Sequence, residues 1–111
     1  MSKASRDYQA AITGHTGQAW VQNGVKFDGY SNGILIETKA KYSQFVDSSG
    51  TFRSWFKGAD GFVDQARRQL AAANGAPITW YFKEKAARDA TEILFRQNGI
   101  TGIKLVYSPG N

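Results

Sequence analysis

The chain has 111 residues, 41% of them hydrophobic and 14% aromatic, which suits one compact domain with a modest core and excludes a disordered tail. It has no cysteine and a single histidine, His15, so a disulfide framework, a thiolate metal site and a histidine-cluster zinc site are all excluded. Lys and Arg number 14 against 9 Asp and Glu, and the resulting net charge of +5 favours a polyanionic partner.

Residues 6–13 carry Tyr8, Ala11 and Ile12 on one side of a predicted helix that Gly14 ends, after a ragged start at Met1-Ser2-Lys3. His15, in the loop 14–17, has no orienting partner in sequence and reads as a surface or polar-network residue rather than a catalyst. Residues 18–28 read as a hairpin around Asn23-Gly24, and Tyr30-Ser31-Asn32-Gly33 as a second turn into a strand over 34–42. The expectation is an antiparallel meander with residues 25–28 as its middle strand.

Residues 44–51 are polar and loop-like. In 51–61, Phe52, Trp55 and Phe56 alternate with Arg53 and Lys57, a composition that could stack bases and pair phosphates. The favoured reading is that Trp55 and Phe56 cap the core, with Gly58 and Gly61 keeping the stretch flexible. Residues 62–73 form the strongest predicted helix, with Phe62, Ala66, Leu70 and Ala73 on one face, Gln65, Arg68 and Gln69 on a polar face, and Asn74-Gly75 as its stop. A strand over 77–83, a helix over 84–98 and a strand over 103–107 complete the chain, their order implying a parallel crossover. The fold class is α/β (α+β): a mixed sheet flanked by helices, in the order α-βββ-α-β-α-β, forming one domain over residues 1–111.

The chemistry concentrates in residues 25–42. Alternation along the strand puts Ile34, Ile36, Thr38 and Ala40 on one face and Leu35, Glu37 and Lys39 on the other, which reads as the face away from the core. If the preceding strand is its neighbour, Asp28 and Glu37 converge with Lys39 beside them. Two carboxylates supply hard oxygen ligands for Mg²⁺, which completes its octahedron with water and substrate phosphate. Such an ion activates water and offsets charge developing on phosphorus, while Lys39 holds a phosphate oxygen or orients the nucleophile.

The order of an Asp, a short gap, an apolar run and Glu-x-Lys resembles the PD-(D/E)XK nuclease superfamily. Phe27-Asp28-Gly29 and Leu35-Ile36-Glu37-Thr38-Lys39-Ala40 resemble in particular the restriction-endonuclease-fold toxin domains of bacterial polymorphic toxins, the Tox-REase-5 group. Tyr8-Gln9, Gly14, Gln65-Ala66-Arg67-Arg68-Gln69, Ile78-Thr79-Trp80 and Ser108-Pro109 extend the likeness over most of the chain. The resemblance implies a restriction-endonuclease-like core and catalytic roles for Asp28, Glu37, Lys39 and, on the later helix, Gln65. It implies Mg²⁺ or Mn²⁺ held by Asp28, Glu37 and the backbone carbonyl of Thr38. Phe27 stands where the motif has its proline. Many members add an acid from the first helix; here that helix offers only Asp7, with Gln9 next to Tyr8, which makes a second metal doubtful.

The leading expectation is a metal-dependent DNase, with Lys41, Arg53, Lys57, Arg68 and Gln69 as substrate contacts. The family context adds an antibacterial effector toxin, its C-terminal module, acting in a target bacterium's cytoplasm and blocked by a cognate, acidic immunity protein. An RNase or tRNase on the same fold is the first alternative. The second is a basic nucleic-acid-binding module without turnover, using Trp55, Phe56 and the lysines. No apolar run in the sequence is long enough to span a membrane, and residues 1–7 lack the apolar core of a signal peptide.

Overall fold

A computed structural model describes residues 2–14 and 19–110. Three helices, α1 (Lys3–Thr13), α2 (Gly58–Ala73) and α3 (Lys85–Gln97), accompany six strands: β1 (Trp20–Gln22), β2 (Val25–Phe27), β3 (Gly29–Ser31), β4 (Ile34–Lys39), β5 (Ile78–Phe82) and β6 (Ile103–Tyr107). The expected α+β class and its mixed sheet are what the chain forms. β3 and β4 pair antiparallel, β4 and β5 parallel, and β5 and β6 parallel, in the order β3-β4-β5-β6. β1 and β2 form a separate antiparallel ribbon around the Asn23-Gly24 turn.

The expected three-strand meander therefore needs correction. Tyr30 and Ser31 are strand rather than turn, and the turn is Asn32-Gly33, both at positive φ. The chain bends at Asp28, where the β1–β2 ribbon leaves the edge of the main sheet. The helix starts also move. Ser2 is an N-cap whose Oγ accepts from the Ser5 N–H at 3.1 Å, so Ser2 and Lys3, expected to be ragged, are the cap and first residue of α1, while Met1 lies outside the described residues. Gly58 and Gly61, expected in a flexible loop, lie in the first turn of α2. A Cβ on Gly58 would sit 2.2 Å from the Phe56 ring, which is why glycine occupies the junction.

The core lies between the sheet and the pair α2–α3. Leu35, Ile78, Trp80 and Phe82 project from the strands; Phe62 and Ala66 come from α2, and Ala87 and Phe95 from α3. The Trp80 ring meets Phe62 at 5.7 Å and Phe95 at 5.2 Å, so it joins both helices to the sheet. Truncating it to Ala would cost about 3–5 kcal/mol. α1 covers the opposite face, where the Thr13 methyl would stand 2.9 Å from a Cβ on Gly29 and Tyr8 Oη donates to the Ser108 carbonyl at 2.6 Å.

The aromatic loop divides. Phe56 stacks on Phe45 at 4.2 Å and joins Phe52 and Phe62, as expected of a core cap. Trp55 does not: it is 63% exposed and touches the cluster only edge-on at Phe45. Glu84, which the sequence reading left without a role, accepts the Tyr42 and Ser43 N–H groups at 2.7 and 2.9 Å and fixes the chain as it leaves β4.

Candidate active site

Asp28 sits where the ribbon peels away from β4. Its backbone N–H still donates to the Ile36 carbonyl at 2.9 Å, but the next ladder bond belongs to its side chain. Asp28 Oδ2 accepts the Thr38 N–H at 2.8 Å and the Thr38 hydroxyl at 2.7 Å. The carboxylate thus replaces the carbonyl that a continuing strand would have offered. Oδ1 accepts no hydrogen bond among the described residues. An extended residue directs its N–H and C=O to the same edge, so Thr38 turns its carbonyl toward Asp28 as well. From α1, Gln9 Nε2 donates to the Asp28 carbonyl at 3.2 Å. Asp7, the other α1 candidate, is exposed and pairs with Lys3.

Glu37 and Lys39 are not on a solvated face, and here the sequence reading is overturned. They share the face of Leu35, beneath α2, and are 6% and 7% exposed. α2 supplies two glutamines to receive them. Gln65 Nε2 donates to Glu37 Oε2 at 2.9 Å, and Gln69 Nε2 donates to Glu37 Oε1 at 3.1 Å. Lys39 Nζ lies 3.1 Å from Glu37 Oε2 and donates to Gln65 Oε1 at 2.7 Å. It also stands 4.7 Å from the Phe62 ring centroid and 4.9 Å from that of Trp80, within cation–π range. Trp80 Nε1 closes the network on Gln69 Oε1 at 2.8 Å.

Burial decides the electrostatics. Desolvation raises the Glu37 pKa above its ordinary value, the nearby Asp28 charge adds to the rise, and Lys39 with Gln65 works against it. That Asp28 is felt at Glu37 fits the register: Gly29 lies opposite Ile36, so the next pair outward is Asp28 and Glu37.

The donor set fits a single hard cation. Among the described residues nothing donates to Asp28 Oδ1, and Glu37 uses about three of its roughly four acceptor positions, leaving one on Oε1. Mg²⁺ accepts one or two carboxylates and keeps its waters. Among the described residues no group of three or more acidic, His or Cys side chains comes together, so two acids are what the site offers.

The remaining expected site residues separate from this cluster. Gln69, expected to touch substrate, is fully buried between Glu37 and Trp80. Lys41, Arg53, Lys57 and Arg68 are exposed. Arg53 and Lys57 line a hollow of about 430 Å³ shared with Ile93, Leu94 and Gln97 of α3, and Arg68 lies beside Asn23 and Val25. His15 lies outside the described residues. What sequence reasoning missed is the inward turn of the glutamines, although Gln69 falls in the same stripe as Phe62, Ala66 and Ala73, a polar residue where the helix is otherwise apolar.

A family model described as restriction endonuclease fold toxin 5 matches residues 5–85. The chain belongs to this family. The match runs from α1 through β5 and takes in every residue of the Asp28–Glu37–Lys39–Gln65–Gln69–Trp80 cluster. The toxin domain thus has the nuclease fold that its motif implied, and no curated protein matches it. None of its described helices is long and apolar enough to cross a membrane.

Proposed function

We propose that this toxin domain hydrolyses phosphodiester bonds in DNA, using one Mg²⁺ or Mn²⁺ that Asp28, Glu37 and the Thr38 carbonyl would hold. The observation that carries the reading is the burial of Glu37 and Lys39 as a charged pair at the end of β4, one strand from Asp28. Burying two charges costs several kcal/mol per ion before their attraction is counted. A buried carboxyl whose pKa is raised by desolvation, beside a second carboxylate, supports the reading of this cluster as a functional site.

When bound, the cation supplies Lewis-acid stabilisation of charge developing on the phosphoryl group and lowers the pKa of water. Lys39 keeps its proton at Nζ and offers it to a non-bridging phosphate oxygen. Gln65, bonded to both Glu37 and Lys39, sets the angle between acid and ammonium. Gln69 and Trp80 fix Glu37 from below, and Thr38 fixes Asp28. Lys41, Arg53, Lys57 and Arg68 supply the outer positive field, steering a polyanion rather than touching the scissile group.

The wider role follows the family: an effector toxin, the C-terminal module of a longer protein, acting in the cytoplasm of a target bacterium. Its net charge of +5 suits an acidic immunity protein. Incubating the domain with supercoiled plasmid and with total RNA, side by side, tests the reading. Plasmid nicking that needs Mg²⁺ or Mn²⁺ and stops with EDTA is expected; cleavage of RNA alone would move the substrate, and nicking that persists in EDTA would remove the mechanism.

A further inference from the structure

Trp20 and Tyr30 stack with ring centroids 4.5 Å apart and an interplanar angle of 15°, yet remain 42% and 45% exposed. The pair spans the break in the sheet. Trp20 belongs to the β1–β2 ribbon, opposite Phe27, and Tyr30 belongs to β3, opposite Leu35. Asp28 lies between Phe27 and Gly29 at the bend the two rings bridge.

Residues directly opposite in an antiparallel pair share a face. Tyr30 is therefore on the face of Leu35, which is also that of Glu37 and Lys39. Gly29, pointing the other way, meets Thr13 of α1, which fixes the assignment independently. Tyr30 is two residues from Asp28, a rise of roughly 6–7 Å along a strand. The rings thus lie on the same side of the sheet as the carboxylates and remain partly exposed there.

The pair is also held in place. Trp20 Nε1 donates to Gln22 Oε1 at 3.2 Å, and each ring covers one face of the other, so the remaining exposure lies on outer faces and rims. A two-ring stack on the side of the sheet that carries Asp28, Glu37 and Lys39 suits a flat, unpaired nucleobase, because every base has a π-face and aromatic side chains accept it without reading sequence. A base within intact duplex has both faces occupied by its neighbours and reaches such a platform only by leaving the stack, at a cost of a few kcal/mol.

We infer that Trp20 and Tyr30 form a base-stacking platform for the nucleotide next to the scissile phosphate, and that the domain prefers single-stranded over duplex nucleic acid. This rests on the reading of the cleft as a site for a nucleic-acid strand. It goes further by naming the secondary structure of the substrate and the side chains that select it.

Binding without turnover separates the two. The protein used is the Glu37→Gln variant in EDTA, with Trp55→Phe so that Trp20 is the exposed indole and Trp80 is fully buried. The probes are oligo-dT, oligo-U and a blunt DNA hairpin of matched charge. Indole quenching by at least one single strand is expected, with tighter binding than to the hairpin. Read by fluorescence anisotropy of labelled probes, because Trp20→Ala removes the reporting indole, Tyr30→Ala and Trp20→Ala should each weaken single-strand binding by about tenfold, in keeping with one lost base–ring stack, and leave hairpin binding unchanged. Tyr30→Phe should bind as the parent and so exclude a folding defect.

Equal affinity for hairpin and single strands, or equal loss on both when either ring is removed, overturns the platform. If plasmid or RNA is cut while both ring variants bind every probe as before, the platform falls and the nuclease reading stands. If nothing is ever cut but the rings still govern single-strand binding, the platform stands and the nuclease reading falls.

Discussion

Lys39 Nζ lies 3.1 Å from Glu37 Oε2, with both side chains 8% exposed, so the toxin domain keeps an ion pair inside its core rather than on its surface. Removing one partner of such a pair leaves the other charge stranded. Lys39→Met is expected to destabilise the domain by about 3–5 kcal/mol at neutral pH, read from urea unfolding. The double variant Glu37→Gln, Lys39→Met should recover most of that loss, because a neutral pair has no charge to strand. A double variant no more stable than Lys39→Met would show that the pair is not the unit described.

The raised Glu37 pKa gives stability and activity opposite slopes with pH. A carboxyl whose folded-state pKa lies above its ordinary 4.5 favours the folded state fully below that value, and the contribution is lost as pH rises through the folded pKa. Cation binding needs the ionised form and grows over the same interval. Unfolding midpoints of the wild type minus those of Glu37→Gln should therefore fall as pH rises above 4.5, while cleavage rises. Taking the difference removes the other acids, among them Asp47, whose pKa the Ser49 and Thr51 hydrogen bonds lower to about 2. A flat difference would mean that burial does not govern Glu37.

Gln69 separates a structural role from substrate contact. Its amide donates to Glu37 Oε1 and accepts from Trp80 Nε1, both within the core. Gln69→Leu leaves the Trp80 N–H unpaired and removes a donor from Glu37, at a cost of about 2–4 kcal/mol. Substrate KM should not change, because the side chain is fully buried. A raised KM at unchanged stability would place Gln69 at the substrate instead.

Thr38 offers a gentler perturbation. Thr38→Val keeps the backbone N–H on Asp28 Oδ2 and removes the hydroxyl that bonds it at 2.7 Å. Partners that orient a metal ligand are typically worth 10–100-fold, so cleavage should fall by about that factor for a stability loss of about 1–2 kcal/mol. Full activity in this variant would show that Asp28 is held adequately by the backbone alone.

Strands β5 and β6 and the apolar face of α2 were legible because their apolar residues recur at one period and their ends carry turn residues. The acids and the lysine were legible as a motif. Their burial was not, because β4 is apolar on both faces: Ile34 and Ile36 on one, Leu35 on the other. Nothing local marks which face α2 will cover, and a polar pair then defaults to solvent. The glutamines that reverse that default lie 26 and 32 residues from their partners, Gln65 from Lys39 and Gln69 from Glu37. Tyr30 was misread for a related reason: a strand of three residues, Gly29–Ser31, between Asp28 and Asn32-Gly33 is too short to show alternation. Trp55 and Phe56 are adjacent and chemically alike, and only packing separates the exposed ring from the half-buried one.

The central claim is that Asp28 and Glu37 together hold the ion that makes the domain a nuclease. Rates of plasmid cleavage in Mn²⁺ by wild type, Asp28→Asn and Glu37→Gln test it most directly. Each substitution keeps shape and removes charge, and once far-UV circular dichroism shows each variant folded, both should lose cleavage by at least about a hundredfold. Wild-type rates in either folded variant would contradict the account.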